Sequence, residues 1–155
     1  VAETGEPWPC RRGCDHCCRS LSEAPRLVRA EWRHLDAALD RLPPAIRADV
    51  EARLGDAAAA TRGPVVCPFL DRDQGACRVY DARPAVCRTY GYYRSRDGGR
   101  FCHLVEAHVE PPTDGSPALD DVIVWGSQDA VDRRLDRAEG PTVPLVEWLR
   151  EGRPR

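Results

Sequence analysis

The chain has 155 residues, 42% of them hydrophobic but only 6% aromatic, with 14 prolines, 12 glycines and a formal charge of −2. That length suits one domain over 1–155 with a thin core, and the apolar share excludes a disordered tract. The near-neutral charge gives no basic footprint for nucleic acid, and no run nears the roughly 18 apolar residues of a membrane span. All 23 basic residues are arginine, which GC-rich codon usage explains better than phosphate binding does. The opening VAETGEPWPC lacks the basic and apolar segments of a secretory signal. The expected compartment is therefore the reducing cytoplasm, where thiols and metal thiolates outlast disulfides.

The first twenty residues hold the run Cys10-x3-Cys14-x2-Cys17-Cys18 with a turn at Gly13. Trp32, Leu35, Leu39 and Leu42 follow at helical spacing and predict a helix over Glu31–Leu42, ended by Pro43-Pro44. Pro44 suits a first helical turn, and Ile46, Val50, Leu54 and Ala57 carry a second helix to about Thr61. Two such helices joined by a proline turn read as a helical hairpin. After Gly63-Pro64, Cys67 to Leu70 reads as extended, Asp71 to Gly75 as a turn, and Ala76 to Tyr80 as a strand able to pair back. Asp81 is placed to cap a helix that opens near Pro84 and carries Val86, Cys87 and Tyr90. Gly98-Gly99 predicts a turn before Phe101-Cys102-His103, and 111–117 has loop composition. Val122–Trp125 is a short apolar run, Ser127 can cap a helix with Val131 and Leu135 inward, and a last helix from Pro144 buries Leu145, Trp148 and Leu149. The fold class is mostly α: a small, irregular, metal-stabilised domain with a helical hairpin and a short β-hairpin. Its motif-bearing part spans 10–102, and 103–155 is a helical extension.

The eight cysteines are Cys10, Cys14, Cys17, Cys18, Cys67, Cys77, Cys87 and Cys102. Thiolates two or three residues apart can converge on one ion, and zinc takes four such ligands in closed structural sites. Neighbouring side chains diverge in a helix or a strand, so Cys17 and Cys18 favour two centres. A fully cysteine-ligated iron–sulfur cluster competes with zinc. An even cysteine count also fits a disulfide-stapled secreted domain, against which stand the length and the tight C-x2-C step. His16 lies inside the first run and His103 follows Cys102, so both are further candidate ligands; His34 and His108 read as surface residues. Arg78, Arg83 and Arg88 can offset thiolate charge or pair with Asp71, Asp73 and Asp81, and the four tyrosines can shield a cluster or simply pack.

The run C-x3-C-x2-C matches the cluster motif of radical-SAM enzymes, but the chain is far shorter than their partial barrel and has no glycine-rich SAM motif. Taken in order, Cys10 to Cys18, Cys67-Pro68-Phe69-Leu70, Cys77-Arg78-Val79-Tyr80, Arg83-Pro84-x2-Cys87-Arg88 and Cys102 resemble the YkgJ-type cysteine-cluster family. That resemblance implies chelation of zinc or iron by the eight cysteines. A branch of the family resembles flagellin lysine methylases, which are longer, so methyl transfer is not carried over. Nucleophile elbows, phosphate loops and H-E-x-x-H are all missing from the sequence, which leans against an enzyme. The expected function is a metal-binding protein holding two zinc ions, with iron or an iron–sulfur cluster of redox or catalytic role as the alternative. Metal ions are its expected partners, with room for an unidentified protein and none for nucleic acid or membrane.

Overall fold

The computed structural model describes residues 8–59, 64–109 and 123–150. The cysteine run turns at Gly13, whose φ of +91° favours glycine, and closes in a 3₁₀ turn over Cys17–Arg19. Strand β1 (Arg26–Leu27) then leads into helix α1 (Arg29–Asp40). Trp32, Leu35 and Leu39 are each 1% exposed and form the inner face of α1. The helix opens two residues before the predicted Glu31. The Glu31 carboxylate accepts the Val28 N–H at 3.0 Å, satisfying a donor that a helix start leaves unpaired. Helix α2 (Pro44–Ala59) buries Val50 and Leu54; its predicted end near Thr61 lies outside the described residues.

The short hairpin is present as β2 (Leu70–Asp71) and β3 (Ala76–Cys77), paired Leu70 to Cys77 and Asp71 to Ala76. The Asp71 carboxylate accepts the Asp73 and Gln74 N–H groups at 3.1 and 3.0 Å, which shapes the turn as Asp side chains commonly do. Strand β3 stops short of the predicted Tyr80, because the chain curls into a 3₁₀ turn over Tyr80–Ala82. The cap predicted at Asp81 is not made. Helix α3 (Ala85–Thr89) starts after Pro84, and its first N–H, on Ala85, is accepted by Glu31 of α1 at 2.6 Å. Asp81 instead pairs with Arg12 at 2.8 Å. Tyr90 belongs to the following 3₁₀ turn, Tyr90–Tyr92.

Helix α4 (His103–Val109), too short to read from periodicity, buries Val105 and Val109. The predicted loop at 111–117 and Val122 lie outside the described residues. In the apolar run, Ile123 and Trp125 are half-buried while Val124 is 91% exposed. The Ser127 side chain caps α5 (Gln128–Glu139), accepting the Ala130 N–H. Strand β4 (Val143–Pro144) pairs antiparallel with β1, Arg26 opposite Pro144 and Leu27 opposite Val143. Helix α6 (Leu145–Arg150) packs against α2.

Two groups of buried side chains result. The larger joins Leu27, α1, α2, the β2–β3 region, Leu145 and Trp148. The smaller joins Cys102, Val105 and Val109 with Trp8, Tyr90, Ile123 and Trp125. The buried Trp148 indole N–H donates to the Leu27 carbonyl at 3.0 Å, satisfying its polar group inside the core. The chain is thus mostly α, with two two-stranded sheets among the described residues. Among the described residues no helix is long and apolar enough to cross a membrane.

Candidate metal centre

Seven thiols from four separate segments line one cavity of about 120 Å³: Cys10, Cys14, Cys17 and Cys18 of the run, Cys67 ahead of β2, Cys77 in β3 and Cys87 in α3. Backbone bonds hold these segments together. Cys67 N–H donates to the Cys18 carbonyl at 2.8 Å, and Leu21 and Val65 exchange both of their backbone bonds at 2.9 and 2.7 Å. A Cβ on Gly75 would meet the Asp15 carboxylate at 3.2 Å, so the β2–β3 turn lies close against the run. All eight cysteines are free thiols.

The thiols ring the cavity rather than meeting at a point. Among the described residues no three His, Cys, Asp or Glu side chains form a closed ligand set. Five of the thiols hold their protons firmly. The contact with Cys18, then burial, drives the Cys17 thiol far up. Cys18 is held down by Cys17 but pushed up more by its contact with Cys67 and by burial, reaching about 12. Burial raises Cys87, with the neighbouring Cys18, Cys17 and Cys77 adding to it. Burial also leads the rise at Cys10 and Cys77. A dense group of buried thiols resists becoming a dense group of anions, and a bound cation would remove that resistance.

Backbone donors already favour the anionic form at several of these thiols, Cys17's own N–H among them. The Gly91 N–H acts on Cys10 and the Val79 N–H on Cys77. Gly91 packs closely here: a Cβ would stand 3.0 Å from the Cys10 Cβ and 3.3 Å from its Sγ, so a larger residue would need its neighbours to give way. Of the three arginines the sequence singled out, Arg83 is the one at the cavity. Its guanidinium lies 3.6 Å from the Tyr80 ring centroid, its Nε donates to the Tyr80 carbonyl at 3.1 Å, and its charge favours the thiolates of Cys10, Cys17, Cys77 and Cys87. Arg78 is taken up by Asp49 and Asp71, and Arg88 donates to the Arg83 and Asp81 carbonyls. Arg12 also lies over Tyr80, at 4.2 Å. So Tyr80 serves as a platform for cations, while Tyr90 lines the cavity.

The remaining predicted residues are placed as follows. Cys17 and Cys18 do not diverge to separate cavities, because the tight 3₁₀ turn keeps their thiols in contact. Cys102 does not line the cavity; it is 7% exposed in the smaller buried group, and its carbonyl accepts the Val105 and Glu106 N–H groups at the start of α4. His16 and His103 are exposed and line no part of the cavity, yet their rings meet at 4.3 Å. His34 is exposed as expected, and His108 is half-buried with its ring edge on Trp8. Sequence reading missed Gly91 and Glu31. An isolated glycine between two tyrosines was the only trace of the first, and nothing local marks the second.

An all-sulfur donor set around a small cavity fits zinc or iron in its chemistry. The family model CxxCxxCC, described as "Putative zinc- or iron-chelating domain", matches residues 9–104. No curated protein and no solved structure matches the chain.

Proposed function

Since the chain belongs to the CxxCxxCC family, we propose that it is a non-catalytic metal-chelating domain holding about two zinc ions. The ligands in this reading are Cys10, Cys14, Cys17, Cys18, Cys67, Cys77 and Cys87. The observation that carries it is the convergence of seven thiols from four segments on one cavity. Two tetrahedral ions need eight donor positions, which seven sulfurs supply when one is shared. Cys102, grouped with the ligands from sequence, is left out because it packs in the other buried group. Bound zinc would supply folding free energy to a domain whose apolar core is thin. Arg83 and the Gly91 and Val79 N–H groups would offset the thiolate charge. Residues 1–155 act as one domain in this reading, supported by the packing of Leu145 and Trp148 into the same core as the cysteine segments. A reducing compartment such as the cytoplasm keeps the thiols available.

The competing reading is an iron–sulfur centre. It is favoured by one observation, that the candidate ligands lining the cavity are cysteines and no imidazole is among them. Anaerobic purification with metal analysis and an absorption spectrum separates the two. Colourless protein with about two zinc per chain is expected. Brown protein carrying iron and acid-labile sulfide would replace zinc with a cluster, and protein that binds neither metal when reduced would end both readings.

A further inference from the structure

The two histidines nearest the cysteines in sequence are 87 positions apart yet packed edge to face, with ring centroids 4.3 Å apart. His16 sits between Cys14 and Cys17, immediately before the 3₁₀ turn, and His103 follows Cys102 at the start of α4. Both side chains are exposed. Two imidazoles brought together by the fold at the surface, one of them next in the chain to a cavity-lining cysteine, form a donor pair that borderline divalent ions accept readily.

We propose that His16 and His103 form a solvent-facing port that captures a divalent transition-metal ion and passes it to the cavity thiols. The inference rests on the thiolate reading above for its second step, but not for its first. The edge-to-face packing means that one ring must turn before both nitrogens reach an ion, and exposure leaves each ring room to do so. The port binds the ion through two imidazole nitrogens and keeps water in the remaining positions. The neighbouring Cys17 thiol then replaces one water, its proton passing to solvent or buffer, and each further thiol that joins releases one more proton. The imidazoles leave last and unchanged, and no electron is transferred. Movement runs inward because a set of thiolates holds zinc more tightly than two nitrogens do. Capture at the surface turns delivery to the cavity into an intramolecular event, which raises its rate through effective concentration.

The test uses the full reduced chain under anaerobic conditions and zinc supplied from a nitrilotriacetate buffer. His16→Gln and His103→Gln are each expected to slow zinc uptake on the order of tenfold, while final zinc content and melting temperature match the parent. The double variant should be no slower than either single one, since the pair acts as a unit. Uptake rates equal to the parent's overturn the port, as does a loss of one zinc per chain, which would make the histidines ligands of the buried centre. Nickel titration followed by histidine ring resonances reads the first step alone. Shifts confined to His16 and His103 support the site even if the thiols take up no zinc, an outcome that would end the thiolate reading instead. Unshifted resonances overturn the site.

Discussion

At the scale of single residues, the geometry around Gly91 and Cys102 makes two opposite predictions. Gly91→Ala places a methyl 3.0 Å from the Cys10 Cβ, so the run and the Tyr90–Tyr92 turn must move apart. The Gly91 N–H is carried away from the Cys10 sulfur with it. Zinc affinity, measured by competition with a chromophoric chelator, should fall on the order of 10- to 100-fold, the range typical of lost partners around a metal ligand. Cys102→Ser should leave metal content unchanged, because that side chain packs with Val105 and Val109 and does not line the cavity. Cys18→Ser should lower it, since Cys18 touches Cys17 and Cys67 at the centre of the group. If Cys102→Ser loses metal and Cys18→Ser does not, the ligand set is wrong. The cysteines themselves were legible in the sequence because their spacing is local. Gly91 was not, because its role lies in a contact across 81 positions, which no spacing reports.

At the scale of elements, Glu31 connects two helices that the sequence treats separately. One carboxylate oxygen takes the Val28 N–H ahead of α1 and the other takes the Ala85 N–H at the start of α3, the helix that carries Cys87. Glu31→Ala strands both donors at once. It should cost about 2 to 4 kcal/mol in urea unfolding, roughly twice the loss of a single cap, whereas Glu31→Gln keeps an acceptor and should recover part of that loss. Equal stability of Glu31→Ala and the parent would deny the shared cap. Helices α1, α2, α5 and α6 and the β2–β3 hairpin were readable, since each rests on local periodicity, proline stops or turn residues. The pairing of β1 with β4 was not, because two-residue strands leave no alternation to detect. Nor was the cap on α3. Asp81 is the nearer acceptor in sequence, but Arg12 holds it and Glu31 reaches the helix first.

At the scale of the whole molecule, acid and chelators should act on different parts. The Asp49 carboxyl sits below its ordinary range, chiefly through its hydrogen bond from Arg78, with Arg53 adding to the effect. A depressed carboxyl stabilises the fold above its unfolded pKa and loses that contribution as the pH falls through its folded value. The stability advantage over Asp49→Asn should therefore be full at neutral pH, begin to fall near the ordinary carboxyl value of about 4, and be gone only below the depressed folded value. A constant difference across that range would show that the pair does not couple to folding. Metal removal by a strong chelator should lower the melting temperature at neutral pH, and readdition of zinc should restore it while releasing protons from the thiols. An unchanged melting temperature would mean that any bound ion is not structural.

The clasp between β1 and β4 also bears on how the protein is made. Leu145 and Gln128 form part of the wall around the thiols, and Leu145 N–H is fixed to the Pro25 carbonyl at 2.8 Å. A ribosome delivers Cys10 through Cys87 long before it delivers residue 145. During synthesis the sulfurs therefore stand together with one wall of their chamber still to come, open to metal and oxidant alike. That wall closes only once residue 145 has emerged, so the thiols are most open to loading while the chain is still being made.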